Sequence, residues 1–172
     1  AQQAALERAA EALKSSPMLR RLTIKDFVIV DRLELEFEAG FGALTGETGA
    51  GKSILVDALS LALGDRADAA VLRTGAERAE ISAEFDVAAG GALAGWLKEN
   101  DFDADDACLL RRVVDASGRS RASINGSPAT LTQLRQAGEF LADIHGQHAY
   151  HALLRADAQR ALLDAQIGAT AL

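Results

Sequence analysis

Apolar positions change their period several times along the chain, and each change marks an element. Leu6, Ala9, Ala10 and Leu13 recur at helical spacing until Ser15-Ser16-Pro17 interrupts them, which predicts an Ala-rich helical extension over 1–17. A segment added ahead of a natural start at Met18 and a genuine amino-terminal helix both account for it. From Leu19 the pattern becomes alternation. Leu22 and Ile24, then Leu33, Leu35 and Phe37, predict two strands facing one core, joined by a tight connection near Val28 to Asp31. Phe41 to Thr45 is a short apolar run that ends in a glycine-rich loop, and beyond Lys52 the residues Ile54, Leu55, Ala58, Leu59, Ala62 and Leu63 return to helical spacing. Gly64 stands where a residue tolerant of positive φ would end that helix.

Alternation resumes at Ile81, Ala83, Phe85 and Val87. Leu109 to Val114 and Arg121 to Ile124 are short runs separated by Ser117-Gly118 and closed by Asn125-Gly126, turn pairs that favour antiparallel hairpins. Leu93 to Lys98, around the single Trp96, reads as a short helix followed by an acidic loop from Asn100 to Asp106. Thr130 is placed to cap a helix carrying Leu131, Leu134, Ala137, Phe140 and Leu141 on one face, and a last helix is expected over roughly Ala156 to Gln166. The chain divides into the 1–17 extension, one domain over 18–168, and the start of a linker or a truncation over 169–172.

Composition narrows the class without choosing the function. With 172 residues, 49% hydrophobic and 25% charged, the chain suits one soluble globular domain. It contains no apolar run of about 18 residues or more and no secretory start, so a cytoplasmic setting without a membrane partner is expected. Cys108 is the only cysteine, which rules out an intrachain disulfide and suits a small core residue. The formal charge of −7 repels a polyanion, so contact with DNA requires a local basic patch.

The strongest chemistry lies in Gly46-Glu47-Thr48-Gly49-Ala50-Gly51-Lys52-Ser53, which fits the G-x-x-x-x-G-K-[ST] phosphate loop. Glycines allow successive backbone N–H groups to turn toward phosphates. Lys52 can neutralise β and γ oxygens, the Ser53 hydroxyl can ligate Mg²⁺, and the helix opening at Lys52 adds its positive end. A nucleoside triphosphate with Mg²⁺ is the expected ligand. The loop alone does not choose among phosphotransferases, switches and motors.

Several longer segments make the match more specific. Leu22-Thr23-Ile24-Lys25-Asp26-Phe27, the stretch from Leu44 through the loop to Leu59, Leu63-Gly64-Asp65-Arg66-Ala67, Gly118-Arg119-Ser120-Arg121, Ile124-Asn125-Gly126 and Asp143-Ile144-His145-Gly146-Gln147-His148 stand in one order. Together they resemble the amino-terminal head segment of the RecN family, bacterial double-strand-break repair ATPases related to the structural-maintenance-of-chromosomes (SMC) proteins and, more distantly, to ABC-type ATPases. Ala149 stands where that family usually has an acidic residue. The resemblance implies an α/β fold, an incomplete ABC-type head of the phosphate-loop NTPase class, with a phosphate-loop sheet beside an antiparallel β-lobe. It also implies that Gln147 is a Q-loop glutamine contacting Mg²⁺ and the attacking water, and that Arg73 is an R-loop arginine near the nucleotide. An exposed surface arginine is the other use of that position.

The chain contains no hydrophobic strand ending in the Asp-Glu of a Walker B motif and no Leu-Ser-Gly-Gly signature. The family carries both beyond a long coiled coil, so the sequence reads as a fragment or as one of two halves. The implied partners are the carboxy-terminal half of the same head, a second head in an ATP-bound dimer, and DNA. The fragment is expected to bind ATP and hydrolyse it poorly. An ABC-transporter ATPase subunit shares the loop, but the SMC-like start at Leu22 to Phe27 and the missing early aromatic platform oppose it. A small-molecule kinase lacks candidate lid arginines.

Two further clusters carry weaker signals. His145, His148 and His151 follow one another three apart, yet Gly146 breaks the helix that would align them and no ligand-type neighbour is adjacent, so a loop beside Gln147 is the better reading. Arg111, Arg112, Arg119 and Arg121 gather around one hairpin, with Arg119 and Arg121 expected on one face. They suit either DNA phosphates or a solvated face balancing Asp103, Asp105 and Asp106.

Overall fold

The computed structural model describes residues 17–38, 40, 51–102 and 106–141. The 1–17 helix apart from Pro17, the Phe41 to Thr45 strand, most of the phosphate loop, part of the acidic loop and everything after Leu141 lie outside the described residues.

Strands β1 (Met18–Phe27), β2 (Val30–Glu36), β3 (Arg78–Asp86), β4 (Ala107–Asp115), β5 (Ser120–Ile124) and β6 (Ser127–Ala129) form one sheet of six, in the order β2-β1-β3-β4-β5-β6. Every neighbouring pair is antiparallel. The predicted tight link is the two residues Val28-Ile29, since Phe27 already pairs with Val30. Both Asp26 and Val28 have φ of 53°, uncommon for non-glycine residues and costly for a β-branched one. A tertiary clasp holds the turn: Val28 N–H donates to the Val71 carbonyl at 2.8 Å, and Arg73 N–H donates to that of Asp26 at 3.0 Å. At the other end of the sheet, Asn125 and Gly126 have φ of 48° and 83°, the double left-handed pair that joins β5 to β6 in a two-residue hairpin.

Alternation puts Ile81, Ala83 and Phe85 of β3, Cys108, Leu110 and Val114 of β4, and Leu22 and Ile24 of β1 on one fully buried face. Helix α1 (Lys52–Ala62) lies on the β1-β3-β4 part of this face. Its Ala58 and Ala62 have no exposed surface, and their small side chains let the helix approach the sheet closely. Helix α2 (Ala92–Glu99) buries Leu93 and Leu97, while α3 (Leu131–Leu141) buries Leu134, Ala137, Gly138 and Leu141 against β5 and α2. Removing one such Leu or Phe from water contributes about 1.5–3 kcal/mol, which is why this face decides the register. Thr130 caps α3 reciprocally: its Oγ1 accepts from Gln133 N–H at 3.2 Å, and Gln133 Oε1 accepts from Thr130 N–H at 2.9 Å.

Candidate nucleotide site

The end of the phosphate loop delivers the predicted side chains to the first turn of α1. Gly51 is the N-cap residue, with φ of 86° and ψ of −4°, a left-handed conformation that favours glycine. Lys52 and Ser53 open the helix, and Ser53 is exposed. Among the described residues no side chain caps this end, and its first turn contains no acidic residue. Within that turn the backbone N–H groups therefore meet no carboxylate of the helix itself, and a lysine and a hydroxyl belong to the same turn. That arrangement fits a phosphate chain with its Mg²⁺. Gly46, Glu47, Thr48, Gly49, Ala50 and Gln147 lie outside the described residues, as do His145, His148 and His151. Among the described residues no cluster of three or more His, Cys, Asp or Glu is arranged to hold a metal.

Arg73 is fixed by the clasp on the β1–β2 turn. Its Nη2 lies 2.8 Å from Asp26 Oδ1 and 3.1 Å from Asp31 Oδ1, and its Nε donates to Asp26 Oδ1 at 3.1 Å. The Asp26 hydrogen bond, with help from the charges of Asp31 and Asp26, holds the guanidinium above its ordinary pKa against the effect of desolvation. The side chain is 38% exposed, so one part is committed to carboxylates and another faces solvent.

The four hairpin arginines separate into different roles. Arg111 Nε meets Glu80 Oε1 at 2.8 Å, and Arg119 Nε meets Asp115 Oδ2 at 3.2 Å. Among the described residues their counter-charges are Glu80 and Asp115, while Asp103 and Asp105 of the acidic loop lie outside the described residues. Arg119 stands immediately before β5, where Asp115 accepts from the N–H groups of Ser117 and Arg119 and closes the turn, and like Arg121 it is exposed. Arg112 is buried, with 1% exposure. Its position between Leu110 and Val114 follows the inward alternation of β4, a signal the sequence carried and the charge of arginine obscured.

On the solvent face, Arg78 joins Arg111 and Arg121 around a groove of about 540 Å³ that also presents Ser123 and Thr130 and has no acidic lining residue. Among the described residues Arg78 and Arg121 form no ion pair. In a chain of net charge −7 this is a local basic surface.

A family model described as an AAA domain matches residues 21–146, most of the chain. The chain belongs to the AAA domain family. This AAA domain is 51% identical over 147 residues to a DNA repair protein RecN of Xylella fastidiosa, with 86% of the chain and 26% of that protein covered. It therefore spans about a quarter of the length of that relative. Among solved structures, it resembles an SMC head domain with an extended coiled coil from Pyrococcus furiosus, bound to the C-terminal domain of ScpA. The TM-score is 0.64 at 23% identity, covering 87% of this chain and 41% of that one. A chain from work on ATP-driven dimerisation and DNA-stimulated activation of SMC ATPases gives 0.60 at 24% identity, covering 87% and 99%. These likenesses show that the AAA domain has the fold of an SMC-type ATPase head. Among the described residues no helix is long and apolar enough to cross a membrane.

Proposed function

We propose that this chain is the ATP-binding head segment of a DNA repair and recombination ATPase, in which ATP joins two heads and hydrolysis separates them while DNA is held near a double-strand break. The observation that carries the reading is the left-handed Gly51 cap, which places Lys52 and Ser53 together at a helix start that no described side chain caps. The similarity to RecN supports the repair role, and the work on SMC ATPases supports ATP-driven dimerisation by analogy of fold.

In this proposal the α1 N–H groups and Lys52 hold the β and γ phosphates, and Ser53 and Gln147 hold Mg²⁺. Bound Mg²⁺ spreads the charge that develops on the phosphoryl oxygens. A neutral amide at Gln147 accepts from the attacking water and donates elsewhere without adding charge beside the metal. Arg73 keeps its exposed edge for phosphate or for the second head, oriented by Asp26. The Walker B carboxylates and the signature come from the carboxy-terminal half of the head and from its dimer partner. The Arg78–Arg111–Arg121 groove meets DNA phosphates.

Binding of a fluorescent ATP analogue tests the nucleotide reading: Lys52→Ala should weaken it by tenfold or more, by roughly 1.4 kcal/mol per factor of ten. Vigorous ATP hydrolysis by the isolated chain, abolished by Lys52→Ala, would overturn the split-site part. For DNA, charge reversal at Arg78 and Arg121 in the complete protein should lower affinity and flatten its salt dependence. Binding unchanged at every salt concentration rejects that surface.

A further inference from the structure

Three walls of the basic groove belong to elements that also hold the far end of α1. Arg111 and Val113 come from β4, Arg121 and Ser123 from β5, and Thr130 and Leu131 from the start of α3. On the opposite, buried side of the sheet, α1 closes with Gly64 N–H donating to the Leu61 carbonyl at 3.2 Å and Asp65 N–H to that of Ser60 at 3.0 Å. Gly64 has φ of 106°, the left-handed turn that ends a helix.

Each of the three elements takes hold of this Leu63–Asp65 turn. Strand β4 does so through Arg112, which alternation points away from Arg111 and Val113. Its Nη2 donates to the Asp65 carbonyl at 3.3 Å and its Nε donates to Ser120 Oγ, so the start of β5 is tied to the same guanidinium. Helix α3 holds the turn twice. Arg135 Nε donates to the Gly64 carbonyl at 2.9 Å, and a Cβ on Gly138 would lie 2.9 Å from the Leu63 oxygen. A Cβ on Gly64 would lie 2.9 Å from the Arg135 backbone nitrogen. Turn and helix are in backbone contact, so a shift of one displaces the other.

An apolar residue at Arg112 would avoid the free-energy cost of a buried charge. The side chain is 1% exposed, and among the described residues its Nη1 has no hydrogen-bond partner. Burial, then the like charge of Arg135, lowers its pKa, while Asp65 raises it. What the guanidinium adds is direction: N–H groups fixed in one plane hold the Asp65 carbonyl and the Ser120 hydroxyl in a set relation, and resist sliding as apolar packing does not. Helix α1 can carry a displacement to this link. Its 11 residues make a rod about 16 Å long, and its fully buried Ala58 and Ala62 present only small side chains to the sheet. Helix shifts of about 1–2 Å are the ordinary size of such motions.

We propose that the Leu63–Asp65 turn, held by Arg112, Arg135 and Gly138, is a relay between the first turn of α1 and the basic groove. Phosphate bound at Lys52 and Ser53 shifts α1, and the turn re-spaces Arg111, Arg121 and Thr130. DNA in the groove acts back on nucleotide affinity by the same factor, because such coupling is reciprocal. The relay rests on the readings of Lys52 and Ser53 as phosphate contacts and of the groove as a DNA contact.

The test uses the full-length protein, a fluorescent duplex oligonucleotide and a non-hydrolysable ATP analogue. The analogue should change the Kd for the duplex about tenfold, and the duplex should change the Kd for the analogue equally. Arg112→Met should bring both factors to within about twofold of one, while each ligand alone binds within about twofold of its original affinity and the melting temperature holds or rises. Arg135→Met, at an exposed side chain whose loss opens no core, should reduce the coupling in the same direction, and Arg135→Lys should restore it. Coupling that survives both methionine variants overturns the relay, and so does its absence from the unaltered protein. If Arg78→Glu with Arg121→Glu leaves duplex affinity unchanged, the groove reading has failed; if Lys52→Ala leaves analogue affinity unchanged, the phosphate reading has failed. Both results concern a single ligand and are distinct from the loss or survival of coupling.

Discussion

Cys108 faces inward from the middle of the sheet, and burial pushes its thiol up to about 12 from an ordinary 9.0. The neutral thiol is the form the fold accepts, so between these values the native state holds a proton that the unfolded chain has released. Stability from this group is complete below about pH 9 and declines as pH rises toward 12. A thiol reagent at neutral pH should therefore label Cys108 only at the rate of unfolding, which a denaturant series would reveal. Asp115 behaves in the opposite sense: hydrogen bonds from Ser117, chiefly its hydroxyl, and the nearby Arg119 charge hold it below its ordinary 3.8. Its contribution is present above that value and fades as pH falls through the lowered one. Asp115→Asn should make the unfolding temperature less sensitive to acid in that range, as a thermal melt series would record.

At the scale of elements, the cap on α3 offers a clean measurement. Thr130→Ala removes an acceptor for Gln133 N–H, and should cost about 0.5–2 kcal/mol in urea unfolding with an unchanged slope. Much of the architecture was legible in advance because it is local. Ile81, Ala83 and Phe85 announce a half-buried strand by alternation alone, Asn125-Gly126 dictates its own turn, and Gly51-Lys52-Ser53 opens a helix as the motif requires. What stayed illegible depends on distant partners. Arg73 meets Asp26 across 47 positions, and Arg135 meets Gly64 across 71. No periodicity within either segment encodes such a pairing. Arg112 failed for another reason: a charge at an inward position contradicts the usual preference for apolar burial, and it is met there by the Asp65 carbonyl and the Ser120 hydroxyl. The order of strands was equally hidden, since β1 pairs with β3 across the whole phosphate-loop segment.

For the molecule as a whole, charge is sorted by place more than by total. Most ion pairs on the solvent face, such as Arg20 with Asp86 and Arg21 with Glu36, are exposed pairs that each contribute little to stability. Raising salt should therefore move the melting temperature only slightly while strongly weakening any DNA complex, a contrast that parallel melts and binding titrations would expose. The helix side offers a different opportunity. Trp96 stacks on Phe102 with ring centres 6.1 Å apart and leans on Phe140 at 6.4 Å. Phe140 belongs to the last turn of α3, so the only indole in the chain rests against the same helix whose Arg135 donates to the Gly64 carbonyl. Its emission is a built-in optical gauge: any tilt of α3 changes the ring contacts around the indole, and the motion can be followed by light without attaching a dye.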